Sequence, residues 1–299
     1  MTLSATDLYG IIPPVVTTFT DDGDLDTAAY RAELEYIVQF PVGGVLVGAA
    51  TGEGFTLEPG ETAALCRVAK EVVGDRLPVI AGVIEASTRK AVAKSRAAAE
   101  AGADALMVTP VTYLPDSHAS AEAHFSTVAA ASSIPLMIYN SMAHNRLSPE
   151  TVVELTRMRE VVAVKLGYGA ASLHDLRHVL EHAGDRASIM WSQDQLLLPG
   201  YCMGARGSLS TVDSILPGHT TQLFDAVQSG DMSLARKIDR VVSAFAGILG
   251  PDDLPSALKT AITLQGRQVG LPRAPFAPVG GERLRRIRQL VSEAGLLVE

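Results

Sequence analysis

Apolar positions along the chain follow two alternating patterns. Short continuous runs rich in β-branched residues occur over residues 10–19, 43–48, 77–83, 103–110, 134–140, 161–167, 187–191 and 207–211. Such runs read as strands buried on both faces. Between them, apolar and charged residues recur at helical spacing over 27–38, 59–73, 87–101, 118–132, from 148 onward, 170–182 and 194–203, with more helix after 216. The boundaries carry their own chemistry. Asp21-Asp22-Gly23 is a turn signal, Pro59 suits a first helical turn, Gly102 stops an alanine-rich helix, and Ser148-Pro149 supplies a cap followed by a proline at the first helical position. Eight strands separated by single helices predict a (β/α)8 TIM barrel over residues 1–220. Residues 221–299 are expected to be a C-terminal helical extension packed on the barrel, the whole forming one structural unit.

Composition narrows the class. The 299 residues are 47% hydrophobic and 19% charged, as in globular rather than disordered chains. A net charge of −8 and a pI near 5.4 give no basic footprint for nucleic acid or an anionic membrane surface. No apolar run reaches the roughly 18 residues of a membrane helix, and the first residues show no signal-peptide pattern. Two cysteines, Cys66 and Cys202, without metal-ligand spacing, suit a reducing cytoplasm. An acidic protein that takes an anionic substrate must create positive potential locally, from backbone amides or a few placed side chains.

Chemistry concentrates at the strand ends, where barrel enzymes keep their active sites. Of the six lysines, five lie in helical patterns where a solvated stem is expected, and only Lys165 is embedded in a strand-like run, Val161-Val162-Ala163-Val164-Lys165-Leu166-Gly167. Burial disfavours the ammonium form and leaves an amine able to attack a carbonyl carbon. Strand two ends in Ala49-Ala50-Thr51-Gly52-Glu53 and strand five in Tyr139-Asn140, so that a lysine, a tyrosine and a threonine converge on one mouth.

At these residues the chain resembles the dihydrodipicolinate synthase / N-acetylneuraminate lyase family of class I, Schiff-base-forming pyruvate aldolases. The family's Gly-Thr-Thr-Gly-Glu loop corresponds to Ala49-Ala50-Thr51-Gly52-Glu53, its Tyr-Asn strand end to Tyr139-Asn140, and its lysine strand to Val162-Ala163-Val164-Lys165. The resemblance implies that Lys165 forms an imine with pyruvate or another 2-keto acid. It also implies that Tyr139 and Thr51 take part in catalysis, Tyr139 by moving protons, and that the Ala50–Thr51 turn offers backbone N–H groups to the substrate carboxylate. Leu209 of strand eight, Thr112, Tyr113 and His144 join Ala50 and Thr51 as expected substrate-binding residues. A homo-oligomer, a tetramer or dimer, is implied as well, with no cofactor and no metal.

The chain departs from the synthase pattern in the second-substrate pocket. Ala50 stands where the family has a threonine, and Thr112, with Tyr113 next to it, where the synthases have a tyrosine supplied across a subunit interface. His144 lies near the position of the arginine that grips an aldehyde substrate's carboxylate, and Leu166-Gly167-Tyr168-Gly169 replaces polar residues after the lysine. The expected function is therefore a Schiff-base lyase, aldolase or dehydratase acting on pyruvate or a 2-keto acid with an aldehyde partner. The alternatives are 4-hydroxy-tetrahydrodipicolinate synthase of lysine biosynthesis and, from another class, a 2-keto-acid-binding barrel without turnover. Three other features are read as structural. His174, His178 and His182 form a solvated helical stripe, Gly204-Ala205-Arg206-Gly207 a tight helix-to-strand turn, and Glu53 a residue that holds loop geometry.

Overall fold

The computed structural model describes residues 3–111, 117–141, 145–167, 173–247, 249 and 253–298. Eight parallel strands, β1 (Gly10–Ile11), β2 (Val45–Val47), β3 (Val79–Val83), β4 (Ala105–Val108), β5 (Leu136–Asn140), β6 (Val161–Leu166), β7 (Ser188–Trp191) and β8 (Gly207–Ser208), form one sheet in the order β1-β8-β7-β6-β5-β4-β3-β2. The two ends of that order meet. Just beyond β1, Val15 donates its N–H to the Leu46 carbonyl at 2.9 Å, and Leu46 donates to the Pro13 carbonyl at 3.0 Å. The sheet thus closes into a (β/α)8 barrel. Each of β1 to β7 is followed by one α-helix: α1 (Thr27–Ile37), α2 (Pro59–Val73), α3 (Thr88–Glu100), α4 (His118–Ser132), α5 (Pro149–Leu155), α6 (Leu173–Ala183) and α7 (Leu197–Cys202).

The period-two alternation of the strands divides the buried residues into two sets. Leu46, Ile80, Met107, Met137, Ala163 and Met190 belong to an inner cluster that fills the barrel. Their neighbours Val47, Ala81, Val108, Ile138, Val164 and Ile189 belong to an outer cluster shared with the helices. Leu8 plugs the N-terminal end, where its carbonyl accepts the Ser188 hydroxyl at 2.6 Å. The inner face of β6 therefore runs Ala163, Lys165, which places a lysine on the barrel axis at the C-terminal end.

Two strands are shorter than their apolar runs predict. β1 stops at Ile11 because Pro13 and Pro14 have no N–H to give the ladder. β8 stops at Ser208 because Ser210-x-x-Asp213 is a capping box that turns the chain into α8 (Thr211–Ile215). After it, α9 (Pro217–Gln228) packs on β1 and α7, so the boundary expected between 220 and 221 falls inside a helix of the outer ring. Among the described residues three further helices, α10 (Met232–Ala246), α11 (Leu254–Thr263) and α12 (Gly281–Glu293), pack against α8, α9 and one another. No helix among the described residues is long and apolar enough to cross a membrane.

Candidate active site

Lys165 is the polar residue of the inner face of β6 and is 5% exposed. Parallel pairing sets it level with Tyr139 on β5 and Met190 on β7. Its ammonium nitrogen lies 4.4 Å from the centroid of the Tyr139 ring. Burial is the main influence on this amine, lowering its pKa from 10.5 to about 8, while the carboxylates of Asp194 and Asp213 pull in the opposite direction. At neutral pH about one molecule in ten then carries the free amine, against fewer than one in a thousand for a solvated lysine. The arrangement combines a partly neutral nucleophile with a phenol beside it, the pair needed for attack on a carbonyl and transfer of a proton.

The end of β2 forms the opposite wall. Ala49 belongs to the same inner cluster as Tyr139 and Leu209, with Ala50 packed against it, so residues expected in the site from β2, β5 and β8 meet. Thr51 is buried on the same rim. The turn is closed by the Glu53 N–H donating to the Ala50 carbonyl at 3.0 Å, and the backbone N–H groups of Ala50 and Thr51 find no backbone acceptor among the described residues. Two glycines permit this path. A Cβ on Gly52 would lie 2.6 Å from the Val15 carbonyl oxygen, and one on Gly54 would overlap the carbonyl of Gly48.

Thr112, Tyr113 and His144 lie outside the described residues, as do Tyr168 and Gly169. The flanks of the first two segments are pinned to each other. Asn140 brackets the β5 loop by donating to the Leu147 carbonyl at 3.1 Å and accepting the Leu147 N–H at 2.9 Å. Asn145 donates to the carbonyl of Val111, which ties the loop after β5 to the loop after β4. Ser141 and Ser192 share a hydroxyl hydrogen bond of 2.8 Å across the top of β6.

Asp194 and Asp213 were not expected. Asp194, just past β7, accepts the Val212 N–H at 2.9 Å, and Asp213 in α8 accepts the Ser208 hydroxyl at 2.8 Å and the Ser210 N–H at 2.7 Å. Burial raises both carboxyls, Asp213 to about 7, where the charge of Asp194 adds to the effect and the hydrogen bonds oppose it. Extending the strand-end rule to strands seven and eight would have pointed to both. The lysine reading also needs correction. Lys94 and Lys259 are buried too, paired with Glu85 at 2.6 Å and Glu53 at 2.8 Å. The remaining features lie elsewhere. Gly204–Gly207 turns the chain into the N-terminal end of β8, opposite the mouth, and His174, His178 and His182 lie on α6, with the latter two rings stacked at 4.4 Å. Among the described residues no cluster of three or more His, Cys, Asp or Glu could hold a metal ion.

The profile of the Dihydrodipicolinate synthetase family matches residues 7–294. The chain belongs to this family. As a member of the dihydrodipicolinate synthetase family it is a class I, Schiff-base lyase enzyme. It is 32% identical over 272 residues, 90% of this chain and 92% of the relative, to a 4-hydroxy-tetrahydrodipicolinate synthase of Exiguobacterium sp.. It is 30% identical over 290 residues to the same-named protein of Methanothrix thermoacetophila, covering 95% of this chain and 96% of that one. Among solved family structures, the dihydrodipicolinate synthase of Aquifex aeolicus superposes with a TM-score of 0.90 at 26% identity, covering 97% of this chain and 99% of that chain. A prophage protein of the dihydrodipicolinic acid synthase family from E. coli K12, in complex with pyruvate, gives 0.89 at 26% identity, covering 96% and 99%.

Proposed function

We propose that Lys165 forms an imine with pyruvate or a closely related 2-keto acid, and that the enzyme works as a lyase, aldolase or dehydratase on a second substrate other than aspartate semialdehyde. The observation that carries the reading is the buried Lys165 amine over the Tyr139 ring at the C-terminal end of the barrel. In this reading the neutral amine adds to the keto carbon, the carbinolamine loses water, and the resulting iminium draws electrons from the C3–C4 or C3–H bond as it breaks to an enamine. Tyr139 relays protons to and from the departing water and the second substrate's oxygen. The N–H groups of Ala50 and Thr51 bind the keto acid's carboxylate, which suits a chain of net charge −8 with no lysine or arginine placed for the task in the turn itself. Thr51 contributes its hydroxyl beside them, and Leu209 forms an apolar wall.

The second substrate is where the sequence leaves the synthase pattern. With His144 near the arginine position, Thr112 and Tyr113 in place of a single tyrosine, and Ala50 for a threonine, the pocket is altered while the imine-forming residues are kept. A second reading, condensation of pyruvate with aspartate semialdehyde, is favoured by the synthase names of relatives about 30% identical. A panel of 4-hydroxy-2-keto acids and 2-keto-3-deoxy sugar acids, with pyruvate release as readout, separates them. Cleavage or dehydration of a panel member with no condensation supports the first. Condensation alone supports the second, and binding without conversion would indicate a 2-keto-acid-binding barrel. A homo-oligomer in a reducing cytoplasm accords with the family and with unpaired Cys66 and Cys202.

The shifted amine sets a pH signature. Adduct formation between the enzyme and pyruvate, trapped with cyanoborohydride, is expected to rise about tenfold per pH unit below pH 8 and to level off above it. A limb extending to pH 10 would mean an ordinary solvated lysine.

A further inference from the structure

We propose that Glu53 is a positioning residue for the keto-acid carboxylate, holding the Ala50–Thr51 turn through two groups supplied by the C-terminal region, the Lys259 ammonium and the Arg273 backbone N–H. The proposal rests on the reading of that turn as the carboxylate-binding nest.

Glu53 is wholly buried and sits at φ 55°, ψ 29°, a left-handed conformation that a residue with a Cβ adopts only at an energetic cost. Such a conformation persists where surrounding contacts fix it. Here they come from far along the chain. The ammonium of Lys259, on α11, lies 2.8 Å from Glu53 Oε1, and the backbone N–H of Arg273 donates to Oε2 at 2.9 Å. Lys259 is itself held by a 2.9 Å hydrogen bond to the Leu271 carbonyl. The Arg273 side chain is equally committed. It donates to the Gly23 carbonyl at 2.8 Å, to the Thr56 carbonyl at 3.2 Å and to Glu61 Oε2 at 3.0 Å, with its guanidinium 4.2 Å from the Phe19 ring centroid.

The link to the turn is direct. The Glu53 N–H closes the Ala50–Glu53 turn on the Ala50 carbonyl, so a backbone rotation at Glu53, which its fixed carboxylate resists, is coupled to the orientation of the Ala50 and Thr51 N–H groups. Neighbouring carbonyls are fixed independently by Thr17, 2.6 Å from the Gly52 carbonyl, and by Lys94, 3.0 Å from that of Gly54. The latch therefore sets the middle of a loop whose flanks are already anchored.

Charge argues in the same direction. A buried carboxylate beside an anion site would repel the substrate unless compensated, and Lys259 supplies the compensation. An ion pair buried this deeply contributes little net stability compared with apolar packing, so its contribution here is geometry and potential.

The test compares Lys259→Met, Lys259→Arg and the milder Glu53→Gln with the unaltered full chain. In the free protein, amide hydrogen exchange across residues 49–57 is expected to accelerate about tenfold in Lys259→Met, with β4 to β6 unchanged. The pyruvate concentration for half-maximal adduct on Lys165 is expected to rise about tenfold while the saturating rate stays within about threefold, with Glu53→Gln shifting the same way by less and Lys259→Arg restoring most of the loss. Unchanged exchange over 49–57 in a folded variant overturns the proposal. So does a uniform loss of rate and stability with the half-saturation point unmoved. If the unaltered protein forms no adduct on Lys165, the imine reading fails while the exchange measurement still decides the latch.

Discussion

Replacing Lys165 with methionine is expected to lower turnover of any 2-keto acid by roughly 10⁴-fold or more, because the covalent route disappears with the amine. The same change is expected to stabilise the fold at pH 7. Keeping a lysine whose pKa falls from 10.5 to about 8 costs on the order of 3 kcal/mol whenever both the folded and unfolded chains carry the ammonium. The sign follows from proton counting. Below pH 8 the full penalty is present, between about 8 and 10.5 the unfolded chain holds more protons than the folded one and stability rises with pH, and above that range the penalty is gone. Urea unfolding of the two proteins from pH 7 to 10 checks this: the gap in stability should be largest at pH 7 and narrow as pH rises. Loss of activity together with gain of stability is the mark of a residue retained for chemistry at a structural cost. Equal or lower stability of Lys165→Met across that range would mean that the amine is well solvated.

Removing only the phenol oxygen with Tyr139→Phe is expected to cut kcat about 10²- to 10⁴-fold, the usual range for loss of a positioned proton donor. Adduct formation at long times should survive, because the amine stays buried against an aromatic ring of nearly the same shape. Steady-state rates compared with end-point trapping make the distinction. A rate within threefold of the unaltered enzyme would remove Tyr139 from the proton path.

The barrel was legible because its signals are local. Pro59 and Gly74 bound α2 where sequence places it, and Ser117 caps α4 through its bond to the Ser120 N–H. The strand runs were readable because inner and outer faces are both apolar, and Lys165 stood out against that background for the same reason. What escaped was non-local. Lys94 and Lys259 look like surface residues of amphipathic helices because their partners, Glu85 and the Gly54 carbonyl for one and Glu53 for the other, lie on separate elements that only the fold brings near. Sequence gives Glu53 a loop-holding role through nearby backbone; its backbone does bond within the loop, but its carboxylate meets a lysine and a backbone amide more than 200 residues away in sequence. Asp194 and Asp213 are easily passed over because a carboxylate after a strand ordinarily serves a helix N-terminus, and Asp213 does so as the N3 member of the Ser210 capping box. Only their shared burial with Lys165 gives them electrostatic weight.

The central claim is that Lys165 captures a 2-keto acid as an imine. Incubation of the protein with pyruvate and borohydride, followed by intact mass and peptide mapping, tests it directly. The account predicts a single added pyruvate-derived group, reduced and carried on the peptide that contains Lys165. An unchanged mass, or an adduct spread over Lys70, Lys90 and the other lysines with Lys165 unmodified, would contradict it.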